Sequence, residues 1–129
     1  MLTTGVDLVD IPRIERAVSR FGERFLARVF TPDEVRYSQG RTAELAARFA
    51  AKEAVGKALG VGMRVLSPAG IGWLEVETLN ETSGKPYIIL HGRARELAEA
   101  QELTEWAISL SHDKGIAIAF VAALAWPAR

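Results

Sequence analysis

The strongest chemical signal in the sequence is a glutamate within an alanine-rich helical segment. The 3.6-residue period of a helix places Phe49 and Ala46 beside Glu53, so its lateral neighbours are apolar or small. Burying an unpaired carboxylate is costly, so this glutamate needs a cation. Lys57, one turn further on, can supply that cation as an ordinary helix ion pair. A bound metal ion can supply it as well.

A second acidic residue, Asp7, stands between two aliphatic residues in a segment predicted to be a strand. Aspartate is depleted in strands, and one interpretation is a strand-end carboxylate that faces solvent. The other is a Mg²⁺ site shared with Glu53, because Mg²⁺ commonly takes one or two protein carboxylates together with substrate phosphates and waters. Asp10, three residues on, is better interpreted as a helix cap.

The basic residues of interest fall into two groups. Arg13, Arg16 and Arg20 share one face of the first predicted helix, which can steer an acidic partner or be an ordinary solvated face. Arg48 and Lys52 lie one turn apart on the central helix, a pairing that suits phosphate.

Two glycines and a histidine have both a structural and a functional interpretation. Gly60 and Gly62 can let a phosphate chain approach the backbone, or can simply end the central helix. His112 follows Ser111 at a strand end, a position that is often structural. His91 has no sequence context that assigns it a role.

The elements that position these residues follow from hydrophobic periodicity and turn signals. Strands are predicted at Val6–Val9, Gly72–Leu79, Pro86–His91, Trp106–His112 and Ile116–Leu124. Helices are predicted to begin at Pro12 and at the capping box Thr31–Glu34, and to span Thr42–Leu59 and Arg93–Glu102. Clustered helices and two late hairpins, in the order β-α-α-α-β-β-α-β-β, predict an α+β fold with a single domain over residues 1–129.

Composition narrows the function classes. Sixteen basic and sixteen acidic residues give a formal net charge of zero, which argues against a dedicated nucleic-acid binder. The chain has no cysteine, which excludes disulfides, thiolate metal sites and a cysteine nucleophile. The first residues do not have the pattern of a signal peptide, and the longest apolar run is too short to span a bilayer. We therefore expect a cytoplasmic protein that does not bind membranes.

Four segments resemble the motifs of bacterial holo-acyl-carrier-protein synthases, the short type of 4'-phosphopantetheinyl transferase. They read GVDLVDIPRI at 5–14, RFAAKEAVGKA at 48–58, SGKP at 83–86 and SLSH at 109–112. They stand in the family's order and at suitable separations along nearly the whole chain. Val61 is the one departure, because the family has a small polar residue between the two loop glycines.

The resemblance implies that Asp7 and Glu53 bind Mg²⁺ together with the pyrophosphate of coenzyme A, and that Lys57 contacts the transferring phosphate. It implies further contacts to coenzyme A from Arg48, Lys52, Gly62, Gly84, Lys85, Pro86 and His112. It also implies that an acidic helix of the acyl carrier protein docks on Arg13, Arg16 and Arg20. Short members of the family commonly form homotrimers with active sites between subunits, and the same is expected here.

In the implied reaction, a serine hydroxyl of the carrier protein attacks the β-phosphate of coenzyme A, and adenosine 3',5'-bisphosphate leaves. Glu53, directly or through a metal-bound water, is the hypothesised general base. One alternative is a Mg²⁺-dependent nuclease or phosphohydrolase, and another is a non-catalytic module that holds an acidic helix. The sequence does not distinguish a fatty-acid from a polyketide carrier, or Mg²⁺ from Mn²⁺.

Overall fold

The computed structural model describes residues 1–65 and 68–125, and the elements within those ranges confirm the α+β class. The strands are β1 (Leu2–Asp10), β2 (Val76–Asn80), β3 (Pro86–Leu90), β4 (Glu105–Asp113) and β5 (Ile116–Leu124). The helices are α1 (Ile11–Phe21), α2 (Glu23–Val29), α3 (Pro32–Ser38), α4 (Thr42–Leu59) and α5 (Gly92–Ala100). No helix among the described residues is both long and apolar enough to cross a membrane.

Two antiparallel sheets carry the strands. β5 is the centre of a three-stranded sheet in the order β1-β5-β4, while β2 and β3 form a separate hairpin. The register pairs Asp7 with Ala119 and Ala119 with Leu110, so Asp7 and Leu110 lie on one row across the sheet. The turn before β5 consists of Lys114 and Gly115, both with positive φ (50° and 81°), which is the requirement of a type I′ hairpin turn.

Helix α4 lies against one face of the three-stranded sheet and has the bounds predicted from the sequence. Its alanines let the helix backbone come close to the strands, and Ala46, Ala50 and Ala54 are fully buried. The helix ends at Gly60, which has φ 79° in the left-handed region that favours glycine. This close packing decides where Glu53 lies relative to β1.

Alternation along the strands gives the three-stranded sheet two different faces. Small residues of β5, among them Ala117 and Ala119, are buried against α4. The opposite face, here called the outer sheet face, exposes apolar side chains on β1 and β5. They are Leu2 (65%), Val6 (47%), Leu8 (62%), Ile116 (38%) and Phe120 (44%).

Four elements differ most from the sequence prediction. Strand β1 begins at Leu2 and not at the predicted Val6. The predicted strand Gly72–Leu79 begins only at Val76, because Trp73–Glu75 form a turn of 3₁₀ helix in which Glu75 accepts from the Gly72 N–H at 2.6 Å. Helix α2 was not predicted, since it has only seven residues and follows a glycine (φ 56°) that breaks it from α1. Helix α5 stops at Ala100 and not at the predicted Glu102, which has φ 60°.

Candidate active site

The two predicted metal ligands and the predicted catalytic lysine meet where α4 crosses β1. Lys57 Nζ donates to Asp7 Oδ1 at 2.9 Å and to the Val6 carbonyl at 3.0 Å. Asp7 is only 14% exposed, whereas Lys57 is 55% exposed. No ion pair joins Glu53 to Lys57 in the part of the chain that the structure describes, so the simple helix ion pair is not what holds this lysine.

Glu53 is partly buried and electrostatically unfavourable as a carboxylate. Burial raises its pKa, and the negative charge of Asp7 raises it further, while Arg13 and Lys57 oppose the shift. The Asp7 carboxyl is close enough to hydrogen-bond Glu53 when one of the two is protonated. Two carboxyl groups in this relation can share a proton or a cation.

The donor set fits a hard divalent cation that also binds a substrate. Among residues 1–65 and 68–125 no cluster of three or more histidine, cysteine or acidic side chains could hold a metal. Two carboxylates are the number that Mg²⁺ commonly takes when substrate phosphates and waters complete its octahedron. With one oxygen from each carboxylate, the two side chains would fill about a third of such an octahedron and leave the other positions to a phosphate ligand and water.

The raised pKa of Glu53 makes a stability prediction for the metal-free protein. Glu53→Gln is expected to be more stable than the wild type at pH 7, because an ionised Glu53 is disfavoured in the folded state and not in the unfolded state. The difference in stability between the variant and the wild type should shrink as pH falls from the raised pKa towards the ordinary value of 4.5. Below that pH, Glu53 is protonated in both the folded and the unfolded wild type. Urea unfolding in EDTA between pH 4 and 8 measures it, and a glutamine variant less stable at pH 7 would contradict the pairing.

A groove of about 520 Å³ lies on the β4 side of α4. It brings together Gly84, Lys85 and Pro86 from the β2–β3 turn and His112 from β4. These are four of the residues predicted to contact coenzyme A, and they come from segments more than twenty residues apart. Open glycine backbone, a lysine and a histidine make the groove suitable for an anionic ligand.

Arg48 stands behind the wall of this groove. Its Nη1 donates to Glu44 Oε1 at 2.9 Å, its Nη2 donates to Asn80 Oδ1, and its guanidinium lies 4.5 Å from the centre of the Tyr37 ring. All three partners line the groove. The Arg48 side chain is fully buried, and its Nε has no hydrogen-bond partner in the described structure. The positive charge of Arg48 therefore lies close behind the groove. Direct contact between Arg48 and a bound phosphate stays a prediction.

Lys52 requires a correction, because the structure gives it a core role and not a phosphate contact. Its Nζ donates to Glu34 Oε1 at 2.8 Å, to the Trp73 carbonyl at 2.9 Å and to the Val76 carbonyl. Lys52 and Glu34 are both fully buried. Burial lowers the pKa of Lys52, while the carboxylate of Glu34 opposes the shift. All three ammonium donors are used, so none is left for a ligand.

Gly62 is also placed differently from the other predicted coenzyme A contacts. Its N–H donates to the Gly56 carbonyl at 3.0 Å, and its carbonyl accepts from the Ile71 N–H at 3.0 Å. With φ 66°, it turns the chain tightly against the end of α4. It does not line the groove that holds Gly84 and His112. In this structure its role is to fold the loop after α4.

The predicted arginine row is exposed, and its first member also belongs to the carboxylate cluster. Arg16 and Arg20 have no carboxylate partner in the described part of the chain, and Arg20 lies over the exposed ring of Phe21. Arg13 stands 5.3 Å over the Phe49 ring and acts electrostatically on Glu53. Arg13 was predicted only to bind the partner, because helical spacing shows the row but not the neighbouring helix.

Three further residues of the groove were not predicted from the sequence. Tyr37, Glu44 and Asn80 line it and hold Arg48, yet each lies outside the four recognised motifs. Spacing along the chain gave no signal for them, because they meet only when α3, α4 and β2 pack together.

Comparisons with known proteins extend over nearly the whole chain. A family model described as the 4'-phosphopantetheinyl transferase superfamily matches residues 3–121. A holo-[acyl-carrier-protein] synthase of Herpetosiphon aurantiacus is 50% identical over 123 residues, which cover 94% of this chain and 97% of that protein. The crystal structure of the Helicobacter pylori holo-[acyl-carrier-protein] synthase in complex with coenzyme A is similar with a TM-score of 0.82 at 33% identity, covering 94% of this chain and 99% of that one. A Bacillus anthracis synthase in complex with CoA (3',5'-ADP) has a TM-score of 0.73 at 31% identity, covering 94% of each chain.

Proposed function

The chain belongs to the 4'-phosphopantetheinyl transferase superfamily, among its holo-acyl-carrier-protein synthases, and we propose that its transfer reaction depends on Mg²⁺ held by Asp7 and Glu53. Enzymes of this kind move the phosphopantetheine arm of coenzyme A onto an apo acyl carrier protein. The observation that carries the proposal is the meeting of Asp7, Glu53 and Lys57 where β1 crosses α4.

The residues of this cluster are proposed to have different electrostatic roles. Asp7 and Glu53 would hold Mg²⁺, which supplies positive charge to the pyrophosphate of coenzyme A when bound. Lys57 would leave Asp7 to that cation and place its own charge beside the transferring phosphate. Its 55% exposure keeps the ammonium accessible to a substrate.

The nucleophile comes from the partner, so this chain needs no serine–histidine pair. A serine oxygen of the carrier forms a bond to the β-phosphorus as the bond to the bridging pyrophosphate oxygen breaks, and adenosine 3',5'-bisphosphate leaves. Glu53, directly or through water, is the proposed acceptor of the serine proton.

We place the nucleotide end of coenzyme A in the groove of Gly84, Lys85, Pro86 and His112. The groove is lined by two cationic or potentially cationic side chains, and the buried charge of Arg48 lies behind it. That environment suits the phosphates of the nucleotide. Lys52 and Gly62 are left out of this proposal, since their polar groups are used within the fold.

The arginine row is proposed to dock an acidic helix of the carrier protein. Arg16→Glu/Arg20→Glu should raise KM for the carrier at least about ten-fold while kcat changes little, because exposed charges steer and hold the partner rather than the reacting atoms. The difference in KM between the variant and the wild type should become smaller at high salt, which screens exposed charges. Initial rates against carrier concentration at two ionic strengths measure it.

Arg95→Glu is the matched control for this surface. Arg95 is an exposed arginine with 69% of its side chain accessible, and it lies on α5, a different helix from the row. The control reverses one charge where the docking variant reverses two, and it should leave KM unchanged. An equal rise of KM in both variants would mean that overall charge, and not the arginine row, governs docking.

We further propose a homotrimer whose active sites lie between subunits. Two observations support self-association. The outer sheet face exposes five large apolar side chains, and β5 lies between β1, which carries Asp7, and β4, which carries His112. A neighbouring copy could supply the missing half to each site while covering apolar surface. Light scattering of the purified protein measures the assembly; a monomer that is fully active would overturn this proposal.

The reaction itself is tested by following coenzyme A chromatographically. Coenzyme A should be lost and adenosine 3',5'-bisphosphate should appear in equal amounts, and only when apo carrier protein and Mg²⁺ are both present. Breakdown of coenzyme A without any carrier would favour the phosphohydrolase alternative.

A further inference from the structure

At Gly5, strand β1 lies directly against the backbone of α4. A Cβ built on this glycine would lie 2.0 Å from the carbonyl oxygen of Ala54, 2.9 Å from its carbonyl carbon and 3.0 Å from the nitrogen of Ala58. These are backbone atoms inside a helix, so no change of rotamer can make room. The strand therefore lies closer to the helix than any residue with a side chain allows.

Contacts on both sides of Gly5 hold β1 at this distance. Thr3 Oγ1 donates to the Ala58 carbonyl at 2.8 Å, and Lys57 Nζ donates to the Val6 carbonyl at 3.0 Å. The strand is thus attached to the helix just before and just after the glycine. A displacement at Gly5 must be carried along the strand or must break one of these bonds.

The two carboxylates lie next to this contact. Glu53 directly precedes Ala54, and Asp7 follows Gly5 by two residues, which puts it on the same face of the strand. The distance between strand and helix at Gly5 consequently sets the distance between the two carboxyl groups. Mg²⁺ demands near-ideal octahedral geometry with oxygen at about 2.0–2.1 Å, so a shift of about 1 Å is costly.

We propose that Gly5 is a positioning residue for the metal site, an inference that rests on the proposed role of Asp7 and Glu53. Real Cβ contacts essentially never fall under 3.0 Å, so an alanine at this position must move the strand outward by about 1 Å from the 2.0 Å contact. That movement carries the Asp7 carboxylate away from Glu53. The metal site therefore requires a residue without a side chain at position 5.

The test measures metal affinity directly, with Mn²⁺ as the probe in the presence of coenzyme A and electron paramagnetic resonance to count free ions. Gly5→Ala should bind Mn²⁺ at least ten-fold more weakly than the wild type and lose turnover by a similar factor. KM for the carrier protein should stay within about two-fold, because the arginine row is untouched. Leu103→Ala, in a buried position after α5, controls for a general loss of stability and should keep wild-type Mn²⁺ affinity.

Lengthening the side chain at position 7 distinguishes positioning from mere destabilisation. The double variant Gly5→Ala/Asp7→Glu should recover Mn²⁺ affinity relative to Gly5→Ala, because one extra methylene extends the carboxylate across the widened gap. In the wild-type background, Asp7→Glu should weaken binding. If Gly5→Ala does not fold, Thr3→Val removes the neighbouring hydrogen bond without adding bulk and should weaken Mn²⁺ binding a few-fold.

The outcomes separate this inference from the proposed function. Wild-type protein that binds no Mn²⁺ and works in EDTA would overturn the metal site itself. Wild-type protein that needs the metal, beside a folded Gly5→Ala variant of equal Mn²⁺ affinity, would overturn the role of Gly5 alone. The role of Gly5 would also be overturned if Gly5→Ala/Asp7→Glu bound Mn²⁺ no more tightly than Gly5→Ala and Leu103→Ala lost as much affinity as Gly5→Ala.

Discussion

Replacing Asp7 by alanine is expected to lower holo-carrier formation at least about a thousand-fold at saturating Mg²⁺, about 4 kcal/mol of transition-state stabilisation. The variant loses one of the two carboxylates that would hold the cation and releases Lys57 from its 2.9 Å contact. The protein should remain folded, because a partly exposed ion pair contributes little to stability. Initial rates of carrier modification, with circular dichroism as the check on folding, measure the effect.

Asp10 provides the matched control for Asp7 on the same strand. It is an exposed aspartate at the N-cap of α1, and its side chain makes no capping hydrogen bond. Asp10→Ala should change turnover less than about two-fold, as surface changes away from special features usually do. Equal losses in the two variants would contradict a specific metal site at Asp7.

The second large effect is on stability. Lys52→Met is expected to reduce the free energy of unfolding by about 3–5 kcal/mol, because it leaves the carboxylate of Glu34 buried without its partner. Domains of this kind have only about 5–15 kcal/mol in total, so a partly unfolded protein is the expected result. Urea unfolding followed by circular dichroism measures the change. A loss under about 1 kcal/mol would mean that the pair is not as buried as the structure describes.

Two companion variants sharpen that test. Lys52→Met/Glu34→Gln removes both charges and should be more stable than Lys52→Met alone, since no buried charge is left uncompensated. Lys57→Met, five residues further along the same helix, should affect turnover and not stability, unlike Lys52→Met. It should lower turnover at least about a hundred-fold and change stability by less than about 1 kcal/mol, because its side chain is 55% exposed.

The long helix and the motifs it carries were predictable from the sequence. Helix α4 has its predicted bounds, because an alanine-rich segment without proline strongly favours helix and Gly60 stops it. The capping box at Thr31 is present as predicted, with Glu34 accepting from the Thr31 N–H at 2.9 Å. These are local features, set by residues within a few positions of each other.

What could not be predicted depends on packing between distant segments. Glu34 was recognised as a capping residue, yet its other task, the ion pair with Lys52, exists only because α3 and α4 pack together. The spacing of Arg48 and Lys52, one turn apart, is suitable for binding phosphate. Only the burial of Lys52 shows that its side chain points into the core. The pairing of Asp7 with Glu53 was suggested by the family resemblance, whereas spacing alone left it open.

The proposed transfer is measured directly by the intact mass of an apo acyl carrier protein after incubation with this protein, coenzyme A and Mg²⁺. We expect a gain of about 340 Da, the mass of one phosphopantetheine added by phosphoryl transfer. The gain should disappear with EDTA and in the Asp7→Ala and Glu53→Ala variants. An unchanged mass with folded protein, across several carrier proteins and with Mn²⁺ also supplied, would contradict the proposed transfer.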